Sequence, residues 1–237
     1  MARVTSYGIS GICSMAMRRV LADLAAAYER QSSATIAIAA VGGVDAFRRV
    51  EAGERFDFVV LAADAIDRLA RSGSVDPATR TDLARCGVAV AVAVGASPPD
   101  ISNESALRQA VLQARSIGYS TGPSGQHLVR LFERWGIADE IASRIVQATP
   151  GIPVGTLIAR GDIELGFQQS SELMHVPGID VIGPLPPECQ VMTTFSAAVC
   201  ATSTQRAATA EFLSFLASPM ADQAKRREGM DPAHTSR

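Results

Sequence analysis

Short apolar runs alternate with stretches of helical periodicity along most of the chain. The runs TIAIAAVGG (35–43), FDFVVLAA (56–63) and GVAVAVAVG (87–95) are typical of strands. The segments between them carry apolar residues three or four positions apart, which is the spacing of an amphipathic helix. Strands that alternate with helices predict an α/β protein with mainly parallel sheets.

Two long strand candidates divide this alternation. GVAVAVAVG and VMTTFSAAVCA (191–201) lie far apart in the chain and are suited to carry it from one lobe to another and back. We therefore expect a discontinuous first lobe, formed by residues 1–83 plus 192–237, and a second lobe formed by residues 84–191.

Three junctions between strands and helices are rich in glycine and small polar residues: YGISGICS (7–14), AVGGVDA (40–46) and YSTGPSGQH (119–127). Ligands of open α/β sheets collect at the carboxyl ends of strands. The third junction leaves backbone N–H groups unpaired at the positive end of a helix, which predicts an anion site. The alternative is that glycine, proline and serine serve only the geometry of the turn.

Composition narrows the choice of partners. The net charge is −2 and 47% of the residues are hydrophobic, so nothing favours nucleic acid or an acidic membrane as a partner. Lys225 is the one lysine, and we expect it in a polar C-terminal tail. No stretch has the length of a membrane span or of a secretory signal. The sequence as written predicts a cytoplasmic protein, or a periplasmic one if a longer precursor is exported.

Motifs for other chemistry are missing from the sequence. The four cysteines have no C-x-x-C spacing, which predicts buried free thiols and no metal site: Cys13, Cys86, Cys189 and Cys200. The chain has no G-x-S-x-G, no P-loop and no dinucleotide-binding fingerprint. We therefore expect no cofactor.

Several longer segments, taken in order, carry a family resemblance. They are VGGVDAFRRVEAGERFDFVVLAADAIDRLARSG, DLARCGVAVAV, IGYSTGPSGQHLVRLFERWGI, ARGDIELGFQQSSEL and FLASPMADQAKRREGM. With them, the chain resembles the molybdate-binding-protein-like branch of the type II periplasmic solute-binding proteins, which also includes aconitate-isomerase-like proteins. The resemblance implies a two-lobed fold in which each lobe is a mainly parallel sheet flanked by helices.

The resemblance also implies a small anion bound between the lobes by backbone N–H groups, hydroxyls and side-chain amides. Such donors stabilise an oxyanion or a carboxylate without a buried countercharge. One wall would be Ser10 and Gly11, after the first strand, with Gly43 and Val44, after the second. The other residues expected to bind the ligand are Tyr119, Ser124, Gly125, Gln126, Gln168 and Gln169.

Two departures from the family pattern favour an organic acid over a metal oxyanion. The second loop, Val41 to Val44, has no hydroxyl residue, and GFQQSS stands where the family tends to place a tyrosine. Gln168 and Gln169 would instead donate to carboxylates of a di- or tricarboxylate. The alternative is that both glutamines only cap or cross-link the end of their strand.

Three functions use the same loops. The first is a solute-binding protein, with an ABC transporter permease as its partner only if it is exported. The second is a cofactor-independent isomerase that moves an allylic proton, with His127 or Glu172 as the base. Either residue is also consistent with an ordinary helix surface. The third is a sensor that signals to a partner protein by closing its lobes.

Overall fold

A computed structural model describes residues 7–149 and 151–234. In chain order, the first half forms β1 (Tyr7–Ser14), α1 (Arg18–Glu29), β2 (Ala34–Val41), α2 (Gly43–Glu51), β3 (Phe58–Ala62), α3 (Ala63–Arg71), β4 (Thr81–Ala93), α4 (Glu104–Gln113) and β5 (Ile117–Tyr119). It continues with α5 (Pro123–Arg134), α6 (Ala138–Ile141), β6 (Ile145–Gln147), α7 (Val154–Ala159), β7 (Leu165–Gln169), α8 (Ser170–Leu173), β8 (Ile179–Pro184), β9 (Met192–Val199), α9 (Arg206–Ala217), α10 (Asp222–Arg227) and β10 (Asp231–Pro232).

The chain divides into two compact units. Unit 1 contains the residues up to Arg85 and from Thr194 onward, and unit 2 contains Cys86–Thr193. Both divisions fall inside long strands, because β4 and β9 each pass from one unit into the other. The sequence predicted the same two strands as crossings, with boundaries two residues earlier in the chain.

Unit 1 is a sheet with helices on both faces. β1 pairs in parallel with β2 and with β3, and β3 pairs antiparallel with β9. On one face of the sheet, Ile12 of β1 is buried together with Phe47 of α2 and Leu69 of α3. On the other face, the Phe58 ring lies 5.4 Å from the Phe212 ring of α9. No helix of the described ranges is both long and apolar enough to cross a membrane.

Unit 2 shows how an alternating strand supports two different cores. In β4, Val88, Val90 and Val92 pack with residues of α4 and α5, while Ala89 and Ala91 pack with residues of α7 and α8. β5 pairs in parallel with β6 and β7, and β7 pairs antiparallel with β4. Gly166 of β7 lies against the side chain of Ile158, so small residues allow α7 to approach the sheet closely.

The environment of Lys225 differs from the prediction of a polar tail. Lys225 is 1% exposed and lies on the inner face of α10, where its Nζ is 3.8 Å from Oδ1 of Asp222. Desolvation lowers the pKa of this ammonium. The prediction was wrong because only one side of this helix is polar. The neighbouring polar residues lie on its exposed side: Gln223, Arg226 and Arg227. All four cysteine side chains are buried thiols, as predicted.

Gly11 of β1 is a site where one methyl group should be costly. A Cβ at this position would lie 2.1 Å from the Phe58 ring, whereas a Cβ on Gly8 of the same strand would meet nothing within 4 Å. We expect Gly11→Ala to lower the free energy of unfolding by about 1–3 kcal/mol because of overpacking. Urea denaturation measures this loss, and Gly8→Ala is the control. Equal stabilities of the two variants would contradict the close contact.

Candidate functional site

The carboxyl ends of three parallel strands lie at one edge of unit 1. β1 ends at Ser14, β2 at Val41 and β3 at Ala62, and each strand leads into a helix or a helical turn. The N-cap residues of α2 and α3, Gly42 and Ala62, make no capping side-chain hydrogen bond. By contrast, the Asn103 side chain caps α4 by accepting from the N–H of Ala106 at 3.0 Å. The N-terminal N–H groups of α2 and α3 therefore point to this edge without a side-chain acceptor.

Ser14 is the residue of this edge that the sequence interpretation missed. Its side chain is 8% exposed, and its Oγ has no hydrogen-bond partner within residues 7–149 and 151–234. A Cβ on Gly43 would lie 3.7 Å from Cβ of Ser14, so the hydroxyl is next to the first residue of α2. A buried hydroxyl without a partner is costly, which favours an anion as its acceptor. The signal in the sequence was its place as the last hydroxyl of YGISGICS, at the strand's carboxyl end.

Ser10 and Gly11 do not follow the first strand, which corrects the prediction. Both lie inside β1, because the strand continues to Ser14. Ser10 is hydrogen-bonded within unit 1. Its backbone N–H donates to Oδ2 of Asp57 at 2.8 Å, and its hydroxyl donates to the same oxygen at 3.1 Å. Gly11 lies in close contact with the Phe58 ring, as described above. Both residues therefore have structural partners.

Gly43 and Val44 occupy the place that the sequence predicted for them, in the first turn of α2. The Val44 side chain is 57% exposed, so its backbone N–H rather than its side chain is suited to bind an anion. Asp45 follows in the same turn, and its carboxylate pairs with the Arg48 guanidinium at 3.1 Å. Their role in ligand binding stays a prediction.

A second edge of this kind lies in unit 2. β5, β6 and β7 are parallel, and β5 ends at Tyr119 just before the turn to α5. The N-cap of α5 is Gly122, again without a capping side chain, and Pro123 is its first residue. The N–H groups of Ser124 and Gly125 come next in the first turn. Ser124 is buried, and its Oγ is 3.3 Å from Oγ of Ser120.

Gly125 explains why this turn is glycine-rich. A Cβ here would lie 1.6 Å from the carbonyl oxygen of Ser120 and 3.1 Å from the Tyr119 ring, so the helix begins in direct contact with the preceding strand. Tyr119 itself is buried and its ring lies 6.3 Å from that of Phe132, in the core of unit 2. Burial raises the pKa of the Tyr119 phenol. The Gln126 side chain is exposed.

The two glutamines at the end of β7 have protein partners, as the alternative interpretation expected. Gln168 accepts from the N–H of Val154 at 3.0 Å and donates to Oε1 of Glu172 at 2.8 Å. Gln169 bonds the Thr193 hydroxyl at 2.8 Å. With its amide turned to accept that bond, the nitrogen donates to the carbonyl of Cys86 at 3.1 Å. Contact of either amide with a ligand stays a prediction.

Glu172 is the most perturbed carboxyl of the described residues. It lies in the first turn of α8, immediately after the carboxyl end of β7. Desolvation raises the pKa of Glu172 to about 7, and the hydrogen bond from Gln168 partly opposes this rise. A carboxyl that is half ionised near neutral pH can both accept and return a proton.

His127 has a partner in unit 2. It lies on α5, and its Nε2–H donates to the carbonyl oxygen of Cys189 at 2.7 Å. This bond connects α5 to the chain just before β9. Nδ1 is then the nitrogen with a free lone pair in the neutral ring. Both candidate bases are half-buried, and the structure distinguishes them by their partners. Glu172 accepts from the Gln168 amide and has a raised pKa, whereas His127 cross-links α5 to the Cys189 carbonyl.

Comparison with known proteins places the chain in a family. The family model described as bacterial extracellular solute-binding protein matches residues 9–231. The chain belongs to this family. Among the relatives of this chain is an aconitate isomerase of a Pseudomonas species, 37% identical over 216 residues, which are 89% of this chain and 82% of the relative.

Solved structures confirm the predicted fold class of this chain. The periplasmic molybdate-binding protein of Azotobacter vinelandii matches with a TM-score of 0.78 at 18% identity, covering 94% of this chain and 98% of the other. The sulfate-binding protein of Mycobacterium tuberculosis matches with a TM-score of 0.77 at 16% identity, covering 97% and 88%. At these identities the likeness shows the type II periplasmic-binding-protein fold alone.

The first turn of α5 can be tested through its glycines. Gly125→Ala should lower the free energy of unfolding by about 3 kcal/mol or more, since the new methyl group meets a backbone carbonyl that cannot move aside. Gly122→Ala is the matched control, because its Cβ would meet only Oγ of Ser120, at 3.6 Å. Thermal and urea unfolding give the comparison. A Gly125→Ala variant as stable as the control would show that the turn is looser than described.

Proposed function

We propose that this protein binds an unsaturated di- or tricarboxylate and isomerises it by an allylic proton shift. The observation that carries the proposal is Glu172, a desolvated carboxyl with a pKa of about 7 at the carboxyl end of β7. The aconitate isomerase relative, at 37% identity, supports the same class of substrate and reaction.

Backbone and hydroxyl donors would bind the carboxylates. In unit 1 these are the N–H groups of Gly43 and Val44 and the Ser14 hydroxyl. In unit 2 they are the N–H groups of Ser124 and Gly125. Helix N-termini and hydroxyls stabilise anionic oxygen atoms, including the charge that develops when a proton leaves the adjacent carbon.

The reaction needs one proton carrier. The Glu172 carboxylate takes a proton from the methylene carbon next to the double bond, and the electron pair of that C–H bond forms a new double bond. The electrons of the original double bond move to its far carbon, the one that is not bonded to the methylene carbon. This far carbon then takes the proton from the Glu172 carboxylic acid. Protons and electrons balance, so substrate and product are isomers.

Proton NMR in D2O tests the proposal directly. With cis- or trans-aconitate as the probe, we expect formation of the other isomer and incorporation of deuterium at the exchanging carbons. Glu172→Gln removes the base and should lower the rate by about 100-fold or more. Glu133→Gln, an exposed glutamate of α5, is the control. Turnover that survives in Glu172→Gln would remove this residue from the base role.

A second candidate function is binding without turnover. The solute-binding family and the helix N-termini without capping side chains favour it. Under this alternative the protein would deliver its ligand to an ABC transporter permease. The NMR experiment separates the two candidates, since a receptor shifts its melting temperature with aconitate, molybdate or tungstate but returns the ligand unchanged.

Ser14 and Ser10 provide a paired test of the unit 1 edge. Ser14→Ala removes a hydroxyl that has no protein acceptor, so trans-aconitate affinity should fall about 5- to 30-fold while stability is unchanged. Ser10→Ala removes the hydroxyl bond to Asp57, so stability should fall by about 1 kcal/mol while affinity is unchanged. Calorimetric titration and urea unfolding measure the two quantities. The reverse pattern would restore the sequence-based assignment of Ser10.

A further inference from the structure

The side chain of Gln168 bridges two elements of unit 2. It is 2% exposed at the carboxyl end of β7, and its Oε1 accepts from the N–H of Val154, the first residue of α7. Its Nε2 donates to Oε1 of Glu172. Both functional atoms of the amide are therefore used inside the unit.

The bond to Val154 decides which way the amide points. A backbone N–H can only donate, so the amide atom that faces Val154 must be the oxygen. The NH2 group then faces Glu172, and Oε1 of that carboxyl is an acceptor whether or not Glu172 is protonated. The carbonyl oxygen of a carboxylic acid accepts better than its hydroxyl oxygen, so this bond favours Oε2 as the carrier of a proton on Glu172.

We propose that Gln168 is a positioning residue that restricts the exchangeable proton of Glu172 to Oε2, so that a single oxygen removes and returns the proton. This inference rests on the proposed function, because it assigns the geometry of the proton carrier in that reaction. The amide bond also favours the carboxylate form over the acid, which keeps Glu172 available as a base near neutral pH.

Two other titratable groups need to be considered beside Glu172. The Cys86 thiol of β4 lies near the same turn, with its Sγ 3.6 Å from Oγ of Ser171. Burial raises the pKa of this thiol, so it stays protonated around pH 7. The other group is the exposed imidazole of His175, three residues beyond Glu172. The test must separate its titration from that of Glu172.

The experiment is a carbon NMR pH titration of the full chain labelled at its glutamate side-chain carboxyls, with Glu172→Gln to assign the signal. In Gln168→Met we expect the midpoint of Glu172 to rise by about one pH unit, because the charge-assisted bond is lost. In Gln168→Glu the acceptor for Val154 is kept but no donor faces Glu172, so the midpoint should rise at least as far. His175→Asn is the control and should leave the midpoint unchanged.

Activity gives a second readout with cis-aconitate as substrate. The low-pH limb of kcat should move upward with the NMR midpoint in both Gln168 variants, while KM well above that limb changes less than threefold. A midpoint that is unchanged in Gln168→Glu, or that moves in His175→Asn, would overturn the inference. The NMR titration needs no turnover, so a failure of the proposed isomerase is distinguishable from a failure of the Gln168 assignment.

Discussion

Backbone N–H groups at the starts of α2, α3 and α5 are the constraint on which the rest of the site depends. A parallel strand followed by a helix always brings such groups to the carboxyl edge of the sheet. This chain provides no capping side chain at these three helices and places glycine or alanine at their N-caps. The first N–H groups of these helices can therefore donate to a bound ligand, and the helix dipole favours an anion as that ligand.

Much of the fold follows from local pattern. The alternation in GVAVAVAVG predicts a strand, and in the structure its valines and alanines lie on opposite faces and pack against different helices. The end of β1 could not be predicted in this way. Glycine and serine in YGISGICS favour a loop by composition, yet Gly11 accommodates the Phe58 ring and Ser10 satisfies Asp57. Both are tertiary contacts, because Asp57 and Phe58 lie immediately before and at the start of β3, far from β1 in the sequence.

The site shows the same division between local and tertiary information. The glycine turn before α5 and the first turn of α2 were identifiable from residue types at strand ends. Ser14 was not, because the sequence alone does not show that its hydroxyl is buried without a partner and lies next to Gly43 of α2. The sequence offered both Glu172 and His127 as candidates for a base. Only the surroundings distinguish a desolvated carboxyl from an imidazole that donates to the Cys189 carbonyl.

The burial of Lys225 has a practical consequence. It is the one lysine of the sequence, and its amine lies inside unit 1 beside Asp222. Among described residues, therefore, no exposed lysine is present for acylating reagents or amine cross-linkers. Acylation of this side chain requires α10 to open. Its rate thus reports the local unfolding of the C-terminal part of unit 1, separately from any event at the carboxyl ends of the parallel strands.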